Sequence, residues 1–458
     1  MIIASTTSNR ADTMMTDRSN IICASRRILT VLTVSALVAG PAVAQVPAPP
    51  QSETIALTGG TIHTITNGVI QNGIIVFANG VITAVGADVA VRAGARRIDA
   101  SGRHIYPGLI DAYSAMGLQE IGAVDVTNDT NELGDFNPNV RAEVAVNPES
   151  RHIGTARSNG VLVTLTTPAG GIVSGLSAAL MLDGWTWETM TLKSGAALNV
   201  NWPDPQDDDD DEDDEGDSDR PDYADQIRGL RDMFATARAY RDAQASGTAH
   251  DTDSRWQAMV PVVNGEIPVV VSASSVQQIQ DAIAWAEAEG VRLVLRGGED
   301  ALYVADHLAA KQIPVLLTSV MDGPNRSWES YDGNYGLPAR LHEKGVRFAI
   351  TGGSSAPYTH RLPYEAGVSV AFGLPVDEAL RAVTIHPARI MGIDDRVGSL
   401  ETGKDATLLI TTGNPLDFTA SIEQAYVQGR EIDMMDMHKQ LYQKYSEKVR
   451  QAKASERN

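Results

Sequence analysis

Between residues 54 and 99, apolar and polar positions alternate in short runs at 55–57, 61–65, 73–78 and 81–85, separated by Gly-Gly and Asn-Gly pairs. Period-two alternation sends successive side chains to opposite faces, and these turn residues suit hairpins, so the pattern predicts antiparallel strands. A second patch of the same kind follows at 403–410 and 422–428, ending at Gly429-Arg430. The two patches predict one small β-sandwich built from both ends of the chain, 53–104 and 396–432. Between them, apolar runs at 105–111, 161–167, 179–182, 197–201, 267–272, 291–296, 313–318 and 346–351 alternate with helical stretches at 221–245, 276–289, 301–311, 338–344 and 376–383. Strand and helix in turn predict a parallel βα architecture over 105–395, and eight strands are what a TIM (β/α)8 barrel requires. The expected class is α/β, with a charged helical tail over 433–458.

Composition changes the picture in three places. With 458 residues and 43% hydrophobic content, the chain has material for a large core, while a formal charge of −21 argues against nucleic acid or an anionic membrane as partner. At the N-terminus, Arg26-Arg27 precede an apolar run over 28–40, and Ala42-Val43-Ala44 offers a cleavage site. That run is shorter than the ~20 residues a bilayer span takes, so 1–44 reads as a cleavable export signal whose start is Met14 or Met15. The expectation is a periplasmic or secreted protein with no membrane attachment after cleavage. It would carry no cysteine, since the single Cys23 leaves with the signal. Residues 45–52 form a Pro-rich linker. Nine consecutive acidic residues at 207–215 form the heart of an insert at 204–222, expected to be a solvated loop. It lacks the glycine-spaced ligands of a specific calcium loop.

The segment Pro107-Gly108-Leu109-Ile110-Asp111-Ala112-Tyr113-Ser114-Ala115 resembles the first barrel strand of the amidohydrolase superfamily, P-G-L-I-D-x-H-x-H. The closing segment Thr384-Ile385-His386-Pro387-Ala388-Arg389, then Gly392 and the 397–406 stretch, resembles that superfamily's T-x-N-P-A-x-x-x-G … G-S-L-E-x-G-K-x-A-D. With Leu57-Thr58-Gly59-Gly60-Thr61-Ile62 at the start, the resemblance covers residues 54–430 and is strongest to imidazolonepropionase-like and prolidase-like members. It implies one or two divalent ions at the barrel mouth activating a water. The ligands would be two His after strand one, a Lys or Glu after strand four, one His each after strands five and six, and an Asp after strand eight.

Residue by residue, those positions carry Tyr113 and Ala115, Asn201, Ser272, Gly297 and Gly353. An imidazole offers a lone pair to a metal and a methyl offers none, so the expectation is a metallohydrolase scaffold without its metal. A divalent ion such as zinc returns only if hydrolysis is retained. The other histidines show no i,i+2 or i,i+4 clamp. Candidate groups at the mouth are Ser272, Ser274, Arg296, Glu299, Thr351, Ser354, His360 and Arg361, with Asp111 read as a structural bond to backbone. Three functions follow. The first is a pseudoenzyme or accessory subunit in a homo-oligomer, or in a hetero-oligomer with an active paralogue. The second is a hydrolase of C–N bonds in cyclic amides, imides or dipeptides, using Ser272 or Ser354 with His360. The third is a binding protein for a small-molecule ligand, with Gly297-Gly298 and Gly352-Gly353 leaving backbone room.

Overall fold

The computed structural model describes residues 46–205, 222–247, 251–318 and 320–455. The proposed signal with Cys23, and most of the acidic insert, lie outside the described residues. Among the described residues no helix is long and apolar enough to cross a membrane.

Five strands come first: β1 (Ile55–His63), β2 (Val69–Ala78), β3 (Val81–Gly86), β4 (Arg96–Asp99) and β5 (His104–Pro107). β1, β2 and β3 form an antiparallel meander. The Gly59-Gly60 pair does not separate two strands, as the alternation suggests. Instead β1 runs through it as a bulge, with Gly59 at φ +80°. Before the bulge β1 pairs in parallel with β4, and after it with β5. The extra residue bends the strand from one neighbour to the other, which is why this sheet is not purely antiparallel.

The middle of the chain supplies β6 (Leu109–Ser114), β7 (Val161–Thr166), β8 (Val173–Met181), β9 (Thr191–Asn201), β10 (Val269–Ala273), β11 (Leu293–Gly297), β12 (Val315–Leu317) and β13 (Phe348–Ile350), bonded in sequence order into a nearly closed barrel. At the seam between β13 and β6, Gly352 N just after β13 donates to Asp111 Oδ1 at 3.3 Å, and Ile110 N donates to the carbonyl of Val383, in the helical segment that follows β13, at 2.8 Å. One expectation fails: the third strand covers 173–181 rather than 179–182 and runs antiparallel to both neighbours. The connections explain this, because 167–172 and the stretch holding one short helix suffice to reverse the chain, whereas a parallel neighbour needs a dozen residues or more.

Helices cover the barrel: α1 (Arg151–Ser158), α2 (Trp187–Met190), α3 (Tyr223–Ala245), α4 (Ser254–Val263), α5 (Val276–Glu289), α6 (Ala305–Lys311), α7 (Gly333–Glu343), α8 (Leu362–Ala371), α9 (Val376–Ala382) and α10 (Ile385–Met391). α5 shows how local sequence defines one. Ser275 and Gln278 form a reciprocal capping box at its start, and Gly290 ends it in the left-handed conformation. Its buried face places Trp285 edge-on to Phe234, ring centroids 5.1 Å apart. Outward strand residues such as Val271, Leu295, Leu317 and Ile350 join this helix-facing core. Inward residues stack in layers: Ala112, Ala197, Val270, Val294, Leu316 and Ala349 fill the middle, while Ala388, Met391 and Ile393 pack with Ile110 and Val163 below them.

The chain then returns as β14 (Leu408–Thr411), β15 (Ile422–Val427) and β16 (Arg430–Ile432), and ends in α11 (Met437–Ser455). β14 pairs antiparallel with β5, joining both chain ends in one eight-stranded sheet. Phe77 and Tyr426, edge-to-face at 5.1 Å, tie its two halves across a core of Ile55, Leu57, Ile75 and Leu408.

Two helical glycines predict opposite outcomes. A Cβ on Gly336 in α7 meets nothing within 4 Å, so Gly336→Ala is expected to stabilise by about 0.5–1 kcal/mol through propensity alone. A Cβ on Gly367 in α8 collides with the Leu416 backbone carbonyl, so Gly367→Ala is expected to cost about 1–3 kcal/mol despite the same propensity gain. Urea unfolding midpoints of the two variants check the sign.

Candidate functional site: the barrel mouth

Alternation along β10 and β11 decides what faces the mouth. Val270 and Val294 point inward in the middle layer, so the next inward positions are Ser272 and Arg296, which lie in register across the two strands. On strand six the inward residue is therefore Arg296, and Gly297, taken from the motif as the ligand position, falls one residue beyond it. Asn201 lies in register with Ser272 on the other side, but its side-chain amide donates to the Gly171 carbonyl at 2.8 Å and the Ser174 hydroxyl at 3.1 Å.

Arg296 organises the mouth. Its Nη1 donates to Ser272 Oγ at 3.0 Å and its Nη2 to Ser354 Oγ at 2.6 Å. Its guanidinium carbon lies 4.1 Å from the centroid of the Tyr113 ring. A one-residue bulge between Asp111 and Ser114 accompanies this placement of Tyr113. Three positions that would carry metal-binding side chains or adjoin them (Tyr113, Ser272 and Ser354) thus converge on one guanidinium. Ala115 is bound through its backbone N–H to the Ser354 carbonyl at 3.0 Å. Gly353 adopts φ +108° and donates to Thr351 Oγ1 at 3.3 Å.

Arg296, Ser272, Ser354 and Gly353 line a cavity of about 350 Å³ with Ser274, Glu299, Asp322, Arg361 and Glu365, whereas Tyr113, Ala115 and Thr351 do not. Arg361 and Glu365 form an ion pair at 2.9 Å, and Glu365 also accepts from the Met321 backbone at 2.8 Å. Burial pushes the Glu365 carboxyl up to about 7, against the pull of Arg361. Glu365 escapes a reading of strand ends because it sits inside α8. The signal that finds it is its i,i+4 spacing from Arg361.

Asp111 is fully buried and accepts from the backbone N–H groups of Tyr113 and Gly352, both at 3.3 Å. Burial pushes its carboxyl up to about 8. It closes the barrel seam and does not line the cavity. His360 is also placed elsewhere: its Nδ1 donates to the Pro357 carbonyl at 2.6 Å, and its ring stands edge-on to His438 in the tail helix at 6.5 Å. The short 3₁₀ turn over Ala356–Arg361 carries it away from the mouth, so the anticipated pairing of a serine with His360 does not form. His386 lies at the start of α10, its Nδ1 donating to the Phe348 carbonyl at 3.1 Å at the opposite end of the barrel. A cavity of about 500 Å³ opens there, lined by Pro268, Leu293, Pro314, Arg347 and His386. TIM-barrel chemistry belongs to the C-terminal strand ends, so the smaller, polar cavity is the candidate site.

The carboxylates Glu299, Asp322 and Glu365 line this cavity, but the strand-end positions that the resemblance assigns to metal ligands carry a poor donor set for a divalent ion. Hydroxyls, glycine backbone and a guanidinium face one another where imidazoles and carboxylates would be needed, and a fixed cation repels a second one. Among the described residues, no three His, Cys, Asp or Glu side chains converge as a metal-holding group.

Comparison with known proteins gives this architecture its family. Residues 278–434 match the Amidohydrolase family. An imidazolonepropionase from Sphingopyxis alaskensis is 26% identical over 412 residues, covering 78% of this chain and 90% of that protein. The amidohydrolase tasK of Hapsidospora irregularis is 23% identical over 361 residues, which is 72% of this chain but only 36% of that protein. In three dimensions an amidohydrolase from Thermotoga maritima superposes with a TM-score of 0.72 at 25% identity, covering 83% of this chain and 99% of that one. The resemblance supports a scaffold of the kind that hydrolyses C–N bonds. Opening motif, closing motif, barrel and composite sheet lead to one assignment: the chain belongs to the amidohydrolase superfamily.

Proposed function

We propose that this protein is an exported, non-hydrolytic member of its superfamily, which uses the barrel mouth to bind a small molecule and acts as an accessory subunit. The observation that carries the reading is Arg296, whose guanidinium holds Ser272, Ser354 and Tyr113 around it. The hydroxyls of Ser272 and Ser354 are weak metal ligands and already accept from Arg296, and the guanidinium itself has no electron pair to give and repels a metal ion. The match to tasK favours a role beside a second module. That relative is nearly three times as long as the stretch matched here, which leaves room for another domain of this size. A catalytic paralogue in a mixed oligomer would be the separate-chain equivalent.

The test is metal content. Mature protein is incubated with Zn²⁺, Mn²⁺ or Co²⁺, passed through gel filtration and measured by elemental analysis. The expected outcome is far less than one ion per chain, and one or two ions retained per chain would overturn the reading. A second reading keeps hydrolysis and rests on Glu365, a cavity carboxyl titrating near 7, which is where a general base works best. In the same preparation, metal-free turnover of hydantoins, lactams or dipeptides that is lost in Glu365→Gln would favour it.

A further inference from the structure

The Arg296 guanidinium has five N–H donors, and the two hydroxyls from Ser272 and Ser354 take only two of them. Its Nε–H is buried without a partner. The face covered by Tyr113 brings partial negative charge but no counter-ion. Around it the other cations are already matched: Arg361 has Glu365, and Arg326 holds Asp300 through paired bonds of 2.8 Å. A half-buried cation without an anionic partner is costly, and the fold keeps it so at the one end of the barrel where ligands bind.

Two further features give the missing partner a shape. Gly297 and Gly353, both at positive φ, line the same cavity, and a Cβ on them would press on Ser274 Oγ at 3.0 Å and on the Tyr358 side chain at 3.4 Å, so glycine keeps those walls bare. Asp322, exposed at the rim, adds negative charge to the same cavity, and Glu299 lines it with one carboxylate oxygen buried. A purely anionic ligand meets repulsion at that rim, and a purely cationic one meets it at Arg296. A molecule with a carboxylate at one end and an ammonium at the other satisfies both. The cavity of about 350 Å³ suits a single small molecule.

We infer that the barrel mouth is a binding site for a small zwitterion, whose carboxylate pairs with Arg296 where the superfamily resemblance implies a metal. The inference rests on the non-hydrolytic reading above. Arginine and carboxylate match as planar forks, which distinguishes this ligand class from tetrahedral anions.

Isothermal titration calorimetry of metal-free mature protein tests it with L-proline, β-alanine, succinate, inorganic phosphate and ethylamine as probes. Binding of the two zwitterions above the other three is the expected result. Arg296→Met should abolish it, and Arg296→Lys should weaken it by roughly tenfold, because the charge stays and the fork is lost. Ser354→Ala removes one hydroxyl that orients the guanidinium and should weaken binding several-fold, with an unchanged unfolding midpoint certifying the fold. Stronger binding of phosphate or ethylamine than of either zwitterion would overturn the inference, as would full affinity in Arg296→Met. Retained metal in the elemental analysis would instead overturn the non-hydrolytic reading, so the two failures are distinguishable.

Discussion

Asp183→Asn is expected to lower stability by about 3–5 kcal/mol, read as a shift of the urea unfolding midpoint. Asp183 follows β8 and is 2% exposed, clamped between two arginines from distant parts of the chain. Arg157 of α1 reaches its Oδ1 at 2.9 Å, and Arg430 of β16 reaches its Oδ2 at 2.9 Å. Burial pushes the carboxyl up and pushes the Arg157 guanidinium down, while each charge pulls the other back. The pair survives burial only because both signs are present. Asparagine keeps the shape but removes the charge, leaving two guanidiniums facing each other beneath the surface. Asp306 supplies the contrast: its ion pair with Lys344 is solvent-exposed on both sides, so Asp306→Asn should shift stability by less than about 0.5 kcal/mol.

The second large effect depends on pH. Asp111 is held protonated to about pH 8 in the folded chain, whereas an aspartate in the unfolded chain ionises near 4. Between those values the native state binds one proton more than the unfolded state. Its contribution to stability is therefore fully present below about pH 4 and is lost as pH rises toward 8. Asp111→Asn removes the titration while retaining an oxygen to accept from Tyr113 and Gly352. Thermal melts from pH 5 to 8 should show wild type losing on the order of 3–4 kcal/mol relative to the variant, with Asp111→Asn the more stable protein at pH 8. A constant difference across that range would show that Asp111 ionises in the folded state.

Much of the architecture was legible because it follows from local rules. Pro107-Gly108-Leu109-Ile110-Asp111 marked the first barrel strand, and the helix over 276–289 declared itself through its period, its capping box and the closing Gly290. Direction was not legible. Every residue of β8 is buried, so its hydrophobic pattern says nothing about which way the strand runs. The exchange of Gly297 for Arg296 has a similar cause, because a one-residue slip in a strand turns every side chain to the other face. Only the cross-strand register with Ser272 resolves it. His360 looked available because it follows strand eight, yet the 3₁₀ turn bonds it to Pro357 and directs it toward the tail.

By itself the sequence determined most of the strand and helix inventory and the superfamily. Those properties reside in residue identity and spacing, which survive without knowledge of any contact. The tertiary structure alone decided that Arg296 stands at the centre of the mouth, that Glu365 shares its cavity, and that Asp111 and Asp183 belong to the framework. Those outcomes depend on which side chains long-range packing brings within a few ångströms and how much water it removes. Charge and hydrogen bonding take their strength from that environment.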